Sequence, residues 1–538
     1  VAKISTYTPV TPGLDDLIIV TDKSASNATK NVTVRSIIDL GTGPGSIFGS
    51  VYFVTPNGND TNGTVGDLNK PFKTITAARI KATSDALVSP LIYVYPGTYP
   101  EYELQYEGSY YFSPGVIITG PQQYYGKGGM VSIDQVNKKL VTPGNFATYF
   151  NSISKFKVVG STGNDGIYTV VSAVDDGVNT EIEVSEAIPS AVVDGRVSTA
   201  MPIFNTGDVT TTSGNIYTHL NGITANNTKV YGECIADIPK TIDNDWAGGF
   251  VRCSQGADIY IETHSIKLGM GVCVSTVDNS ILTLRGEFFE VLDSGYGMTF
   301  RDTSQSVVNF QRIKQGTSTI GGTPYCIYFR RGNTANFSGN AIIDAAELIA
   351  EGNAPIIGIT DTTSPAKAWI TCPDLRQTGT QIAVVGNVNA GGEFRINGTL
   401  RASNGIVFIG SSNCLYKWTG DLICTGDITS FITAGADKFY INGDIYTENS
   451  PTVTQLISLT SGELRLNGSL NIDGIGITKS GGDLILDSVK IISTGDSISA
   501  AVAQDINVIH SLASNSALNV NITNIVTGSL VTIDANVK

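Results

Sequence analysis

The chain is expected to be all-β and to fold as a right-handed, single-stranded parallel β-helix. Three observations predict this. The first is a recurring pattern of apolar, any, apolar, any, turn residue, any, apolar. It is clearest at Phe394, Ile396, Gly398 and Leu400, and returns at Leu282/Leu284/Gly286/Phe288, Tyr416/Trp418/Gly420/Leu422, Phe439/Ile441/Gly443/Ile445 and Leu464/Leu466/Gly468/Leu470. A looser copy, Leu484/Leu486/Ser488, ends the series. The second is spacing: from Gly398 the turn residues follow at intervals of 22, 23, 25 and 20 residues. Weaker copies turning at Gly232, Thr263, Arg312, Gly339 and Pro373 extend the series to ten intervals over 256 residues. Short alternating strands at such a period cannot bury an apolar face singly and must stack on their neighbours. The third is composition. Charged residues make up 15% of the 538 positions, and 59 are glycine, which suits stacked strands and tight turns better than helices.

Composition also excludes some functions. A net charge of −14 argues against a nucleic-acid backbone as partner, because phosphates need a basic face. The seven cysteines (Cys234, Cys253, Cys273, Cys326, Cys372, Cys414 and Cys424) are scattered and lack a CxxC pair. They read as small core hydrophobes from a reducing cytoplasm, not as a zinc site. No secretory leader and no run of 18 apolar residues is present, so neither export nor membrane insertion is expected. No cofactor motif is found: Asn404-Gly, Asn442-Gly and Asn467-Gly are turn chemistry, with no Lys-Ser/Thr or helix start behind them.

The chain divides into five regions. Residues 1–45 form a small N-terminal segment: a strand at 17–21, a polar turn at 24–30, then a strand at 32–40 running into a short helix. The glycine-rich 41–45 separates this segment from the rest of the chain. Residues 46–130 hold the cap and first coils. A strand ends in the turn at 52–60, a helix starting within 70–78 puts Ile75, Ala78, Ala82 and Leu87 on one face, and a buried strand at 91–99 turns a sharp corner. Such a helix would cover the open end of the first coil, where unpaired edges invite aggregation. Residues 131–200 break the period and read as an inserted antiparallel β-unit turning at Asn164-Asp-Gly and Asp175-Asp-Gly. The β-helix body resumes over 201–495, its late coils 391–490 expected to turn mostly small polar residues outward, and 496–538 form a C-terminal cap.

Two sets of residues carry a resemblance. Residues 52–60, 70–78 and 92–99 ("YFVTPNGND…KPFKTI…IYVYPGTY") resemble the first coils of parallel β-helix proteins found among phage fibres, tailspikes and surface carbohydrate-active proteins. The opening segment, "AKISTYTPVTPGLDDLIIVTDKSASNATKNVTVRSIIDLG", resembles a module placed at the N-terminus of many tailed-phage structural proteins ahead of unrelated bodies. The C-terminal 514–538 resembles the ends of similar proteins. The resemblance implies a virion appendage, a head or tail fibre or spike assembled in the bacterial host cytoplasm. It would be anchored to capsid or tail proteins through Leu17, Ile19, Val32, Val34, Ile37 and Ile38. It also implies a homotrimer and a role in attachment to host-surface glycan.

The expected activity is adhesive and not enzymatic, with a polysaccharide depolymerase as the alternative. A glycan-cleaving spike needs two or three carboxylates facing one groove about 5–10 Å apart. Asp243 and Asp245 beside Trp246 and Arg252, then Asp258 and Glu262, then Glu287, Glu290 and Asp293 one coil later, are the candidates. Stacked coils bring such residues within about 4.8 Å, but an acidic surface does so by chance as well. The three histidines, His219, His264 and His510, are far apart in sequence and show no ligand spacing. None is expected beside a candidate carboxylate. The tyrosine cluster around Tyr102, Tyr106, Tyr110, Tyr111, Tyr124 and Tyr125 is either core of the opening coils or a contact surface, since Tyr couples large apolar area to a polar tip.

Overall fold

In the computed structural model of the chain, the described residues include 17–22, 28–33, most of 50–199, and the strands and tighter corners from 202 to 533. They form a parallel β-helix. From Pro202 on the coils contribute strands to two long parallel sheets, and the described strands of the opening coils belong to one of them. One collects Val51–Val54, Leu91–Val94, Gly108–Phe112, Asn227–Gly232, Asp258–Glu262 and the long strands Ile281–Val291 to Asp483–Ser493. The other runs from Pro202–Asn205 to Val520–Ile522. Pairing is parallel and in register, so like positions of successive coils stack into columns. One inward column reads Phe394, Tyr416, Phe439, Leu464 and Leu484, and the next Ile396, Trp418, Ile441, Leu466 and Leu486. All ten side chains are buried. The Phe394 and Tyr416 rings stack at 5.4 Å, so the apolar alternation becomes one continuous core.

The corners come in two kinds. In Ile281–Val291, Gln305–Gln315, Asn340–Ala350 and Lys367–Gln377 the inward alternation skips a beat, leaving two consecutive residues outward: Glu287/Phe288, Gln311/Arg312, Ala346/Glu347 and Pro373/Asp374. From Glu393–Ala402 to Glu463–Ile472 the corner tightens to a single glycine at positive φ, and it widens again in Asp483–Ser493, where Val489 and not Ser488 takes the glycine's place. The ladder absorbs the tightening in a register shift between Thr371 and Asp374. Gly398, Gly420, Gly443 and Gly468 stack in one column. A Cβ on each of the last three would lie 2.5, 2.2 and 2.1 Å from the carbonyl oxygen of the glycine one coil back.

This geometry corrects several turn positions. Phe310 and Ala345 occupy the place of Gly286, so these corners fall two residues before Arg312 and six after Gly339. Gly339 itself lies outside the described residues. Phe288, expected inward, is exposed, and its neighbour Phe289 is buried instead. A wider corner adds one residue, which reverses the phase of everything after it. The expected small polar surface of the late coils holds in part, in columns such as Asn397, Thr419, Asn442 and Asn467 or Thr433, Ser458 and Thr478. Beside the first column run charged ladders such as Lys417–Glu393 at 3.8 Å, and Arg465 paired with Asp487.

At the start, Ile75–Asp85 is a helix with Ile75, Ala78 and Ala82 buried against the first coil; Leu87 lies outside the described residues. Its first N–H groups are met by carboxylates from distant loops. Asp60 accepts from Thr74 N (2.9 Å), and buried Glu101 accepts from Ile75 N (2.7 Å) and Thr76 N (3.3 Å). Burial pushes the Glu101 carboxyl above the usual range, against the pull of these bonds.

Between strand Val116–Thr119 and strand Pro202–Asn205 the chain leaves the solenoid. It builds a six-stranded antiparallel sheet and a short helix, Ala147–Phe150, around a separate core that includes Leu140, Phe156, Tyr168 and Ile182. At the N-terminus, Leu17–Asp22 pairs antiparallel with Ala28–Thr33. The second strand thus starts four residues before the expected 32 and takes in part of the supposed turn, because Thr29, Val32 and Thr33 suit a strand. Cys326, Cys372 and Cys424 are buried free thiols; burial pushes Cys326 to about 12 and Cys372 to about 11, which makes them inert. No helix among the described residues is long and apolar enough to cross a membrane.

Candidate functional site

In-register stacking gathers aromatic residues that are remote in sequence. Phe53 lies opposite Tyr93, Tyr93 opposite Tyr111, and Tyr111 opposite Tyr231, all on the outward side of the first sheet. Tyr93 and Tyr111 stack at 5.0 Å with their planes 20° apart, and Tyr95 packs on Tyr93 at the same distance. Phe53 is covered by these rings, whereas Tyr111 and Tyr231 are 37% and 36% exposed. Beside them opens a cleft of about 500 Å³ lined by Tyr111, Pro114, Tyr231, Gly232 and Glu262. That volume is in the range of small-ligand sites.

Gly232 shapes the cleft. Its φ is +108°, and a Cβ there would come within 2.0 Å of the Phe112 carbonyl oxygen, so the coil can turn here only without a side chain. Glu262 adds a carboxylate to the lining. Its carboxylate accepts a hydrogen bond from the Tyr260 hydroxyl, and this bond, with burial, raises the Tyr260 phenol above its ordinary value. The Tyr260 ring packs on Tyr231 at 5.5 Å and carries the Arg285 guanidinium 5.9 Å from its centre. Around the corner, His264 Nδ1 is 3.5 Å from Glu287 Oε2 and its ring meets Phe288 edge-on at 5.8 Å.

Of the expected contact tyrosines, Tyr111 is on the surface. Tyr110 is buried in the first coils and Tyr124 in the core of the antiparallel unit, so neither offers a contact face. Alternation explains Tyr110: it neighbours Tyr111 on the strand and must point the other way. Tyr102, Tyr106 and Tyr125 lie outside the described residues. Sequence reading missed Tyr231 because the inserted unit separates it from its stacking partner by 120 positions. Among the carboxylates, Glu287 is exposed on the corner, Glu290 lies 3.7 Å from the Lys314 ammonium, and Asp243, Asp245 and Asp293 lie outside the described residues. The expectation that no histidine sits by a candidate carboxylate is corrected by His264, which one coil of stacking places beside Glu287. His219 and His510 lie outside the described residues, as do Val34, Ile37 and Ile38 of the N-terminal segment. Leu17, Ile19 and Val32 are in its hairpin. Among the described residues no group of His, Cys, Asp or Glu could hold a metal ion.

No family model matches the chain, and no curated protein sequence does. The chain is similar to a glycoside hydrolase at 11% identity and a TM-score of 0.28, over 82% of this chain and 96% of that one. It is similar to the Gp54 tailspike of the Acinetobacter baumannii bacteriophage AP22, solved with A. baumannii capsular saccharide, at 12% identity and a TM-score of 0.26, over 94% and 81%. It is also similar to XylC in complex with xylose, at 10% identity and a TM-score of 0.20, over 85% and 69%.

Proposed function

We propose that this chain is a virion appendage of a tailed phage, whose β-helix holds out a glycan-binding face toward the host surface. The observation that carries the binding role is the exposed Tyr111–Tyr231 platform with Glu262 in the same cleft, set on a hydrogen-bonded parallel sheet. Tyrosine faces stack on sugar rings while a carboxylate accepts from sugar hydroxyls, and a stiff sheet holds both without an ordering cost on binding. The virion role rests on the resemblance of the two terminal segments. In this reading residues 1–45 grip a capsid or tail protein, three copies assemble about a common axis, and avidity multiplies a weak site. No cofactor, nucleic acid or membrane enters it.

Replacing both Tyr111 and Tyr231 by Ala is expected to weaken binding to whole bacteria and arrayed surface glycans by about tenfold or more, with the far-UV spectrum unchanged. Undiminished binding would reject the platform. Deleting residues 1–45 should leave a folded β-helix that no longer enters particles, and normal incorporation would reject the anchor. A second reading, a depolymerase, is favoured by the approach of His264 to Glu287 near Glu262, since paired acid and base groups are what glycan cleavage needs. Release of new reducing ends from capsule or O-antigen, abolished by Glu287→Ala or His264→Ala, would establish it over the adhesive reading.

A further inference from the structure

The groups lining the cleft are unequal in what they recognise. Tyr111, Pro114 and Tyr231 give flat apolar faces. Among the described residues Glu262 gives the one carboxylate, and a carboxylate accepts through two oxygens with about four lone-pair sites. The Tyr260 hydroxyl takes part of that capacity and holds the group in place. The rest suits two donors side by side, the arrangement that adjacent hydroxyls of a pyranose present. Arg285 stands opposite Glu262 one coil on, but its guanidinium lies over the Tyr260 ring and it is not among the described residues that line the cleft. A sugar carboxylate placed here would therefore meet a like charge at short range, as well as the field of a chain carrying −14.

Resting on the glycan-binding reading, we infer that the cleft takes an uncharged pyranose with adjacent free hydroxyls, a neutral hexose or an N-acylated hexosamine, and turns away uronic acids. One ring stacks on the tyrosine platform while its paired hydroxyls donate to Glu262. The charge of Glu262 then has two effects: it strengthens the hydrogen bonds to a neutral sugar and repels an acidic one.

The test is calorimetric titration of the full chain with neutral hexose and N-acetylhexosamine oligosaccharides, and with polyuronate oligomers of equal length, at fixed ionic strength. Wild type should bind a neutral oligosaccharide and not the polyuronates. Glu262→Gln keeps the shape but loses the charge and should weaken the neutral ligand about tenfold, as expected when a charge-assisted bond becomes an ordinary one. The same variant should narrow or reverse the discrimination against polyuronate. Tyr231→Ala should abolish neutral binding and Tyr231→Phe retain it. If wild type prefers polyuronates and Tyr231→Ala abolishes that binding, the assignment of sugar class falls while the glycan platform stands. If neither class binds, or Tyr231→Ala changes nothing, the platform falls with it. Neutral binding untouched by Glu262→Gln would overturn the role given to Glu262.

Discussion

Replacing Gly420 by Val is expected to destabilise the late coils by about 3 kcal/mol or more, the combined cost of positive-φ strain and a backbone clash. Gly420 has φ +120°, and any Cβ there would sit 2.5 Å from the Gly398 carbonyl oxygen and 2.7 Å from its carbon. Both contacts are backbone, so no side chain can yield. Moving the backbone means moving the corner glycines of the coils on either side, because Gly443 is stacked on Gly420 in the same way. Gly177 provides the control: its φ is +96°, but a Cβ would meet nothing within 4 Å. Gly177→Ala should thus cost about 1 kcal/mol, the strain alone. Hydrogen exchange should place the Gly420→Val damage in the coils from 393 to 472 and leave the antiparallel unit protected, since a solenoid couples each coil mainly to its neighbours. Equal losses in the two variants would show that the glycine column does not set the corner.

Trp418→Ala should cost about 3–5 kcal/mol, the range for deleting a buried Trp or Phe side chain. Trp418 is among the largest fully buried side chains, inward between Ile396 and Ile441, and its indole N–H donates to the Gly398 carbonyl oxygen at 3.0 Å. Truncation leaves a cavity inside the coil and removes that donor. Trp418→Phe keeps most of the packing and should lose less, about 1 kcal/mol for the hydrogen bond plus a smaller cavity term. Denaturant unfolding separates the two, and equal losses would contradict this account. Because Trp418 and Gly420 both act on Gly398, their combined variant should lose less than the sum of its parts.

Sequence alone determined the solenoid, for a physical reason: a coil that buries one side chain in two, and turns where only glycine fits, writes its period directly into the chain. The late corners at Gly398, Gly420, Gly443 and Gly468 and the helix face of Ile75, Ala78 and Ala82 were legible for that reason, as was the antiparallel unit with its Asn-Asp-Gly and Asp-Asp-Gly turns. Tertiary structure decided the rest. The wider corners carry Phe310, Ala345 or Cys372 in the place of the corner glycine, not the expected turns at Arg312, Gly339 and Pro373, because two outward residues can make the turn without a positive φ. Each such corner reverses the alternation, which put Phe288 outside and Phe289 inside. The candidate site was half visible. Tyr111 stood in the dense tyrosine run and Glu262 among the carboxylates, but nothing local joins them to each other or to Tyr231. The His264–Glu287 approach was hidden for the same reason. Stacking makes neighbours of residues one coil apart, and an insertion can lengthen a coil by any amount without disturbing the stack. Sequence distance therefore carries the period where coils are regular and loses the contacts where one is interrupted.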